Sequence, residues 1–439
     1  MPVASVCSPV RGIGIPVRLI TARLPLLARA SSLLLNALMA VVIARLFGAA
    51  ASGAFFLAFA AINFAGMIGR LGTDMQVIKT VPGLFHGGKL DLLWREMDWL
   101  RRYCLQGSLA AGVITATIGL VLWATGASPE VGIPLAILSI SVPFSSRAIV
   151  ESAALRSANR LSRGAFAETG LSQGLTILLL LVSAVAFHPG GVAIPVCYSI
   201  ATVGTSIVAR IWTKNAIQRT MQQSIEVGFR PPPGLRAAML HMMGSSVLFF
   251  ALTSTPLFVL GIFATVRDVG LYNAATRVST LVAIIPALQT TYLVPRVSRT
   301  VAVHDIEAAN VVLRRAARQA SGVTVLLGVG ILLFASPILG IFGSDFANAQ
   351  ATLMVLLIGQ MAISSLGNVN PVMSVVGLER PSVVYVGIAL AAGLVPMAFV
   401  AVYWGAAGVA LVFVLVSIAY AIACGALLQR RLGIRCFVS

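Results

Sequence analysis

The amino-acid sequence predicts an all-α integral membrane protein in which twelve transmembrane helices form two six-helix lobes. Hydrophobic residues make up 58% of its 439 residues and charged residues only 10%, and the mean hydropathy is +0.96. Apolar runs of about 20 residues, the length that crosses a hydrocarbon core of roughly 30 Å, recur along the chain. Because lipid offers no hydrogen-bond partner to an open backbone, these runs predict helices. The composition excludes a soluble domain.

An internal repeat divides the chain into two halves. Gly53 and Gly270 lie 217 residues apart, and Phe55 and Tyr272 follow them at the same offset. A repeat of about half the chain indicates two copies of one architectural unit. With six spans per half, the two copies have the same orientation and are related by an axis along the membrane normal. The same offset also relates Lys79 to Arg296 and Arg101 to Arg318.

The predicted spans follow from the apolar runs. Those of the first half, the N-lobe (26–212), are residues 26–44, 53–71, 104–124, 132–149, 165–187 and 192–212. Those of the second half, the C-lobe (241–428), are residues 241–263, 275–295, 319–340, 349–376, 382–402 and 408–428, with a break in the tenth at Asn370-Pro371. Residues 213–240 are the predicted cytoplasmic linker. Residues 1–25 are basic and lack a long apolar segment, which favours a cytoplasmic tail over a removed signal peptide, and residues 429–439 form the second tail.

The positions of lysine and arginine predict the orientation. Of the 31 basic residues, 24 fall in the tails and the loops on one side, Arg45 and Arg267 alone fall on the other, and five lie within spans. The positive-inside rule therefore places both termini and the long loops in the cytoplasm. The net charge of +18 has the same origin, so we expect no nucleic-acid partner.

Two cytoplasmic connections have an amphipathic pattern. In residues 89–102, Leu93, Met97 and Leu100 share one helical face, and residues 305–318 have a similar face. We interpret both as helices that lie at the inner leaflet; the alternative is a solvated charged loop.

No catalytic signature is present. The four histidines are not paired with cysteine or carboxylate, and no phosphate-binding loop of the Walker type occurs. The predicted extracytoplasmic loops are short, which argues against a membrane glycan polymerase or ligase. The five cysteines have no metal-ligand spacing, so free thiols are expected. We predict a protein that is not an enzyme and needs no cofactor or metal.

Polar residues within the spans are the remaining candidates for a function, because they are costly in lipid unless they face protein or water. Two stripes recur at helical spacing, one through Arg29 and Asn36 and the other through Asn63 and Arg70. The alternatives are helix packing and arginines that extend to the interface. Arg277 is the one span arginine predicted near the outer face, where a surface role is as well supported as a cargo role. The candidate cavity residues are Arg29, Asn36, Asn63, Arg70, Thr253 and Arg277.

The acidic residues are absent from the middle of every predicted span. Asp74, Glu151 and Glu168 come nearest, all at cytoplasmic ends, and are the candidates for ion coupling. Arg147 and Glu151 stand at i, i+4 and can pair. A proton- or sodium-coupled antiporter generally needs a buried carboxylate. Fixed positive charge within the spans suits an anionic cargo such as a diphosphate headgroup, which guanidinium groups bind by charge-assisted hydrogen bonds.

Several motifs resemble those of one transporter superfamily. They are Ala44-Arg45-Leu46-Phe47-Gly48 leading into Ser52-Gly53-Ala54-Phe55, Asp268-Val269-Gly270-Leu271-Tyr272-Asn273-Ala274-Ala275, Asn370-Pro371 through Gly377-Leu378-Glu379-Arg380, and Trp404-Gly405-Ala406-Ala407-Gly408. The chain resembles a Wzx-type polysaccharide or O-antigen flippase of the multidrug/oligosaccharidyl-lipid/polysaccharide (MOP) exporter superfamily. The resemblance spans nearly the whole chain after the first tail.

This resemblance implies a MATE/MOP-like fold with a central cavity open in turn to each side. It implies as cargo an undecaprenyl-diphosphate-linked oligosaccharide, moved across the inner membrane of a bacterium for exopolysaccharide, capsule or lipopolysaccharide O-antigen synthesis. It also implies a polysaccharide polymerase and chain-length machinery as partners. Members often carry an acidic residue in span 7, where this chain has Thr255-Pro256-Leu257, so an ion-coupling role for that acid does not carry over.

Two other functions stay open at this point. A drug or metabolite antiporter of the multidrug and toxin extrusion (MATE) type shares the twelve-helix architecture, although the missing mid-membrane carboxylate weighs against it. A membrane glycan polymerase or ligase is the candidate from a different class.

Overall fold

In the computed structural model, all regular secondary structure among the described residues is helical. These are residues 15–434 without 88, 188–189, 219–230, 302–304, 368 and parts of 285–299. Most of the first predicted tail, the middle of the linker and the end of the second tail therefore lie outside the described residues, as does the side chain of Arg29.

The helices of the N-lobe are α1 (Ile15–Gly69), α2 (Thr73–His86), α3 (Leu90–Ala124), α4 (Pro129–Ser139), α5 (Ser141–Ser157), α6 (Leu161–Ala165), α7 (Leu171–Phe187) and α8 (Ala193–Gln218), with a π-helical turn at Phe166–Gly170 between α6 and α7. Those of the C-lobe are α9 (Leu235–Phe263), α10 (Val266–Val282), α11 (Ile306–Leu333), α12 (Ala335–Gly340), α13 (Gln350–Ser365), α14 (Val369–Val375) and α15 (Glu379–Leu432), with a 3₁₀ turn at Ser344–Ala349 before α13.

Eight helices within the described ranges are long and apolar enough to cross a membrane, or nine if the bent pair α4–α5 is one span. Two of the eight, Ala30–Gly69 and Arg380–Leu432, are 40 and 53 residues long, far above the roughly 20 residues of one crossing. Each contains one glycine with non-helical backbone angles, Gly48 (φ 78°) in α1 and Gly405 (φ 53°) in α15. The chain is thus a multi-pass membrane protein.

The connection after α9 is shorter than the sequence predicted. The predicted spans 241–263 and 275–295 leave residues 264–274 as the connection between them, but Val266 begins α10, and most of these residues form its first turns. A capping box explains the early start: Asp268 N donates to Thr265 Oγ1 (3.2 Å), and Thr265 N donates to Asp268 Oδ2 (3.3 Å). The predicted break in the tenth span occurs at Gly367 (φ 77°), just before Asn370-Pro371.

The amphipathic segment 89–102 is helical as predicted, but its apolar face does not lie on lipid. Leu93, Met97 and Leu100 are fully buried against Val77 of α2 and Val150 of α5. The segment continues without a break into the membrane helix as one 35-residue helix, α3. The interpretation as a leaflet-bound helix is therefore wrong, because neighbouring protein covers the apolar face.

The apolar core is organised differently at the two ends of the bundle. At the end that contains Gly48, Gly405 and the α9–α10 connection, one cluster combines residues of both lobes, among them Phe55, Tyr198 and Tyr272. We call this the joined end. At the other end, the split end, one cluster belongs to the N-lobe with Met239 at the start of α9, and a separate cluster belongs to the C-lobe.

The two repeat-related glycines meet at the joined end. A Cβ on Gly53 would collide with the carbonyl oxygen of Val266 and lie 2.8 Å from the backbone nitrogen of Gly270. A Cβ on Gly270 would collide with the carbonyl oxygen of Ala49. Because backbone atoms cannot rotate away, only glycine permits this approach of α1 and α10. The internal repeat thus supplies both halves of the contact between the lobes.

Candidate functional site

Arg277 lies farther along its helix than the sequence predicted. Because α10 begins at Val266, Arg277 is about 16 Å from the start of the helix at 1.5 Å per residue. Its guanidinium carbon is 5.7 Å from the ring centroid of Phe56 in the other lobe, a cation–π geometry. Its Nε is buried without a hydrogen-bond partner. The side chain therefore lies between the lobes and not at the outer surface.

Three uncharged candidates lie on the interlobe helices α1 and α9. Asn36 has a buried Oδ1 without a hydrogen-bond partner. Asn63 donates to its own helix at Phe59 O (2.7 Å), and the exposed Thr253 donates to Phe250 O (3.0 Å). The adjacent Phe64 and Phe250 stack at 6.1 Å and join the two helices. A shared role of Asn36, Asn63 and Thr253 in one cavity stays a prediction.

Arg70 is buried within the N-lobe and is paired. It is 7% exposed, and its Nε lies 3.3 Å from Oδ2 of Asp74, which is at the start of α2 across the turn between α1 and α2. A Cβ on Gly66 would lie 3.8 Å from an Arg70 nitrogen and 3.4 Å from Ser146 Oγ of α5. This pairing joins a predicted cargo residue to a predicted ion-coupling residue; neither role is tested by it.

Glu151 is fully buried and is the centre of an ion cluster. Arg101 of α3 donates to it through Nε and Nη2, at 2.8 and 2.9 Å, and Arg210 of α8 donates through Nη1 at 3.1 Å. The guanidinium of Arg101 also lies over the ring of Trp94 at 5.4 Å. Arg147, the partner predicted from i, i+4 spacing, is exposed. Bidentate geometry makes the Arg101 pair the strongest of these contacts.

The third candidate acid is paired as well: Arg156 Nη1 donates to Glu168 Oε2 at 2.5 Å. Each acid proposed for ion coupling therefore forms an ion pair with at least one arginine. Arg277 differs, because it has no acidic partner among the described residues. Cys104, Cys197 and Cys424 are free thiols, as predicted.

The Arg101–Glu151–Arg210 cluster is the feature that sequence reasoning missed. Its members come from three helices and lie 50 and 59 residues apart. No local spacing connects them, and the only pairing visible in the sequence involved Arg147. The one available signal was that a carboxylate near a span end needs a compensating charge.

The fold resembles solved transporter structures, although no protein-family model and no curated protein sequence matches the chain. An inward-facing multidrug resistance MATE family transporter of the MOP superfamily aligns with a TM-score of 0.73 at 16% identity, over 93% of this chain and 98% of that one. The lipid II flippase MurJ, in an inward closed conformation, aligns with a TM-score of 0.68 at 12% identity, over 94% and 87%.

A third structure is a MOP superfamily transporter from Pyrococcus furiosus, described by the reverse polarity of its binding pocket. It aligns with a TM-score of 0.66 at 17% identity, over 94% of this chain and 95% of that one. These neighbours are transporters and a flippase and not enzymes. The chain therefore has the fold of the MOP superfamily transporters.

Proposed function

We propose that the chain is a Wzx-type flippase that moves undecaprenyl-diphosphate-linked oligosaccharide units from the cytoplasmic to the periplasmic leaflet of a bacterial inner membrane. The units would serve exopolysaccharide, capsule or O-antigen assembly. The topology we propose is twelve spans with both termini in the cytoplasm. Twelve spans result if α1 and α15 each supply two, α4 and α5 together supply one, and α10 with the residues after it supplies one more.

The observation that carries this proposal is the guanidinium of Arg277 between the lobes. A cation between membrane helices is costly and marks a cargo or ion pathway. Its buried Nε has no hydrogen-bond partner, and an oxyanion would supply the missing acceptor. A diphosphate can accept paired charge-assisted hydrogen bonds from a guanidinium. Asn36, with its unpartnered Oδ1, offers a polar contact for the saccharide.

The two ends of the bundle fit alternating access. By the positive-inside rule the joined end faces the periplasm and the split end faces the cytoplasm. A headgroup would enter between the lobes from the cytoplasm, while the polyprenyl chain stays in lipid. Transport then requires a second state in which the joined end opens, at a free energy only a few kcal/mol away.

A MATE-type antiporter is the second candidate, favoured by the fold match to a multidrug transporter. That function needs a carboxylate that exchanges protons or sodium ions. The arginine partners of Asp74, Glu151 and Glu168 oppose such an exchange, because an ion that bound one of these acids would have to displace its arginine. Drug efflux that is lost when one of these acids is neutralised, with the fold intact, would support the antiporter.

The test measures the leaflet in which the lipid-linked saccharide resides, in a strain where this gene can be shut off. Vesicles of known orientation are probed with an impermeant glycan-specific reagent. We expect single units to accumulate on the cytoplasmic leaflet after shut-off. Plasmid-borne wild type and Arg267→Ala should restore transfer, and Arg277→Ala should not. Arg267 is the matched control, because it is an exposed arginine ten residues earlier on the same helix.

Other outcomes separate the alternatives. Units that reach the periplasmic leaflet but stay unpolymerised would indicate a polymerase. An unchanged lipid-linked pool would indicate the antiporter. Full transfer by Arg277→Ala would remove Arg277 from the cargo path.

A further inference from the structure

A basic pocket opens on the side of the N-lobe, away from Arg277. It has a volume of about 180 Å³ and is lined by Arg101, Arg102, Arg147, Arg210, Asp98 and Leu105, among others. One water requires only about 10–15 Å³ of such volume, so the pocket has room for a polar headgroup. All four arginines lie at the cytoplasmic ends of predicted spans.

The carboxylates around the pocket do not balance its arginines. Glu151 is held by Arg101 and Arg210, and Asp98 is held by Arg102 at 2.6 Å. Arg147 is exposed and has no acidic partner among the described residues. Arg101 is only 9% exposed, and its Nη1 is buried without a hydrogen-bond partner. Four guanidinium groups thus face two carboxylates, and one buried donor lacks an acceptor.

The wall of the pocket continues into an apolar stripe on α3. Leu105 lines the pocket and is 43% exposed, and Leu109 and Val113 follow at four-residue spacing with 49% and 65% exposure. Residues at this spacing lie on one face of a helix. An exposed apolar stripe of a membrane helix faces lipid. The pocket therefore lies where a phospholipid could place its headgroup against the arginines and an acyl chain along α3.

The fold itself does not require this cluster, because the C-lobe lacks it. The residues 217 positions after Arg101, Arg147, Glu151 and Arg210 are Arg318, Ser364, Asn368 and Leu427. Of these, Ser364 is hydrogen-bonded to Thr324 Oγ1 at 3.1 Å, and Leu427 packs against the apolar cluster of the C-lobe.

We propose that this pocket binds the phosphate of an anionic phospholipid of the inner leaflet, with Arg101, Arg147 and Arg210 as its ligands. Basic pockets between membrane helices on the cytoplasmic side recognise anionic headgroups in this way. Arg101 Nη1 gains the acceptor that it lacks, and Arg147 gains a counter-charge. The bound lipid ties α3, α5 and α8 together at the split end. The proposal uses the membrane orientation but not the identity of the cargo.

The test measures the thermal unfolding midpoint of the full chain, purified in an uncharged detergent, with added ligands. The ligands are phosphatidylglycerol, phosphatidylcholine and soluble glycerol phosphate. A ligand that binds only the folded protein raises the midpoint by mass action. We expect phosphatidylglycerol, whose headgroup has a net negative charge, to raise the unfolding midpoint. Phosphatidylcholine, whose choline balances the phosphate charge, and glycerol phosphate, which has no acyl chain, should have little effect.

Variants assign the effect to the pocket. Arg147→Ala removes an exposed, unpaired side chain, so the midpoint without lipid should stay unchanged while the half-saturating phosphatidylglycerol concentration rises about fivefold. Arg147→Lys should keep most of the effect, and Asp98→Asn, which removes a competing carboxylate, should strengthen binding. Arg318→Ala is the matched control, because Arg318 is an exposed arginine of the C-lobe, at the position that the repeat relates to Arg101.

Two results would overturn the proposal. Equal lipid stabilisation of Arg147→Ala and wild type would mean that the lipid binds elsewhere. Equal stabilisation by glycerol phosphate and phosphatidylglycerol would identify a site for a soluble anion instead of a lipid.

Discussion

The joined end and the split end hold the protein together by different means. At the joined end the lobes share one apolar core, and the closest contact is between the backbones of α1 and α10 at Gly53 and Gly270. At the split end the apolar residues form two separate clusters, and the start of α9 contacts the N-lobe cluster through Met239. The ion pairs of Arg101, Arg156 and Arg210 stay within the N-lobe. In the transport cycle that we propose, the contact that has to break is thus mainly apolar and short-range, while the ion pairs stabilise the N-lobe as a unit.

This difference has a consequence for the conformational cycle. An ion cluster internal to one lobe keeps its partners when the lobes move, so its electrostatic energy does not oppose the motion. An apolar contact between lobes loses mainly dispersion and burial energy when it opens; the charged contact that crosses with it is the cation–π pair of Arg277 and Phe56. The arrangement therefore suits two states of similar free energy.

The largest expected change in stability is at the split end. Glu151→Gln should lower the free energy of unfolding by roughly 3–5 kcal/mol, because Arg101 is left buried with its charge uncompensated. The exposed ion pair of Asp98 and Arg102 is the control: Asp98→Asn should lower the free energy of unfolding by about 0–1 kcal/mol. Denaturant or thermal unfolding in detergent measures both. A Glu151→Gln protein of normal stability that no longer transports would make Glu151 an ion-coupling residue instead.

A smaller but directed change is expected at the joined end. Gly270→Ala places a Cβ against the carbonyl oxygen of Ala49 and should disfavour the joined state by roughly 1–3 kcal/mol, which shifts the equilibrium about 5- to 150-fold. The control is Gly244→Ala, whose Cβ would meet no atom within 4 Å.

The readout is the labelling rate of Ser52→Cys by an impermeant thiol reagent, in a background without the natural cysteines. Ser52 is 1% exposed and adjoins Gly270, so labelling reports opening of this end. Faster labelling in Gly270→Ala than in Gly244→Ala is expected. Identical rates would show that the glycine contact does not hold the lobes together.

The smallest expected effects come from replacing the N-cap residues of two helices, one at each end of the bundle. Thr265 caps α10 at the joined end, and Asp305 Oδ1 accepts from Ala308 N at 2.9 Å to cap α11 at the split end. Replacement of either by alanine should cost about 1 kcal/mol of stability. Only Thr265→Ala should also speed the labelling of Ser52→Cys. Equal acceleration by Asp305→Ala would show that the faster labelling does not arise from the cap at the joined end.

Much of the architecture could be predicted because it follows local rules. The 217-residue repeat predicted two equivalent lobes, and Gly53 and Gly270 meet across the interface between them. The apolar face of Leu93, Met97 and Leu100 was recognised from helical spacing and is fully buried. Its partner was misjudged, since an apolar stripe alone does not tell whether protein or lipid covers it.

The errors have two causes, which are contacts between segments distant in sequence and a single missed helix cap. Thr265 and Asp268 stand in the spacing of a capping box, and this signal would have moved the start of α10 from residue 275 to Val266. The position of Arg277 along its helix followed from that start. The cluster around Glu151 needed the packing of α3, α5 and α8, which no spacing within one helix encodes.

The most direct test of the account is a pair of interlobe distances measured with spectroscopic labels in lipid vesicles. One pair, at the exposed Asp91 and Glu307, reports the split end, and the other, at the exposed Glu130 and Asp345, reports the joined end. With lipid-linked saccharide present, we expect a second population in which the split-end distance is shorter and the joined-end distance is longer. A joined-end distance that stays fixed while the saccharide crosses the membrane would contradict the account.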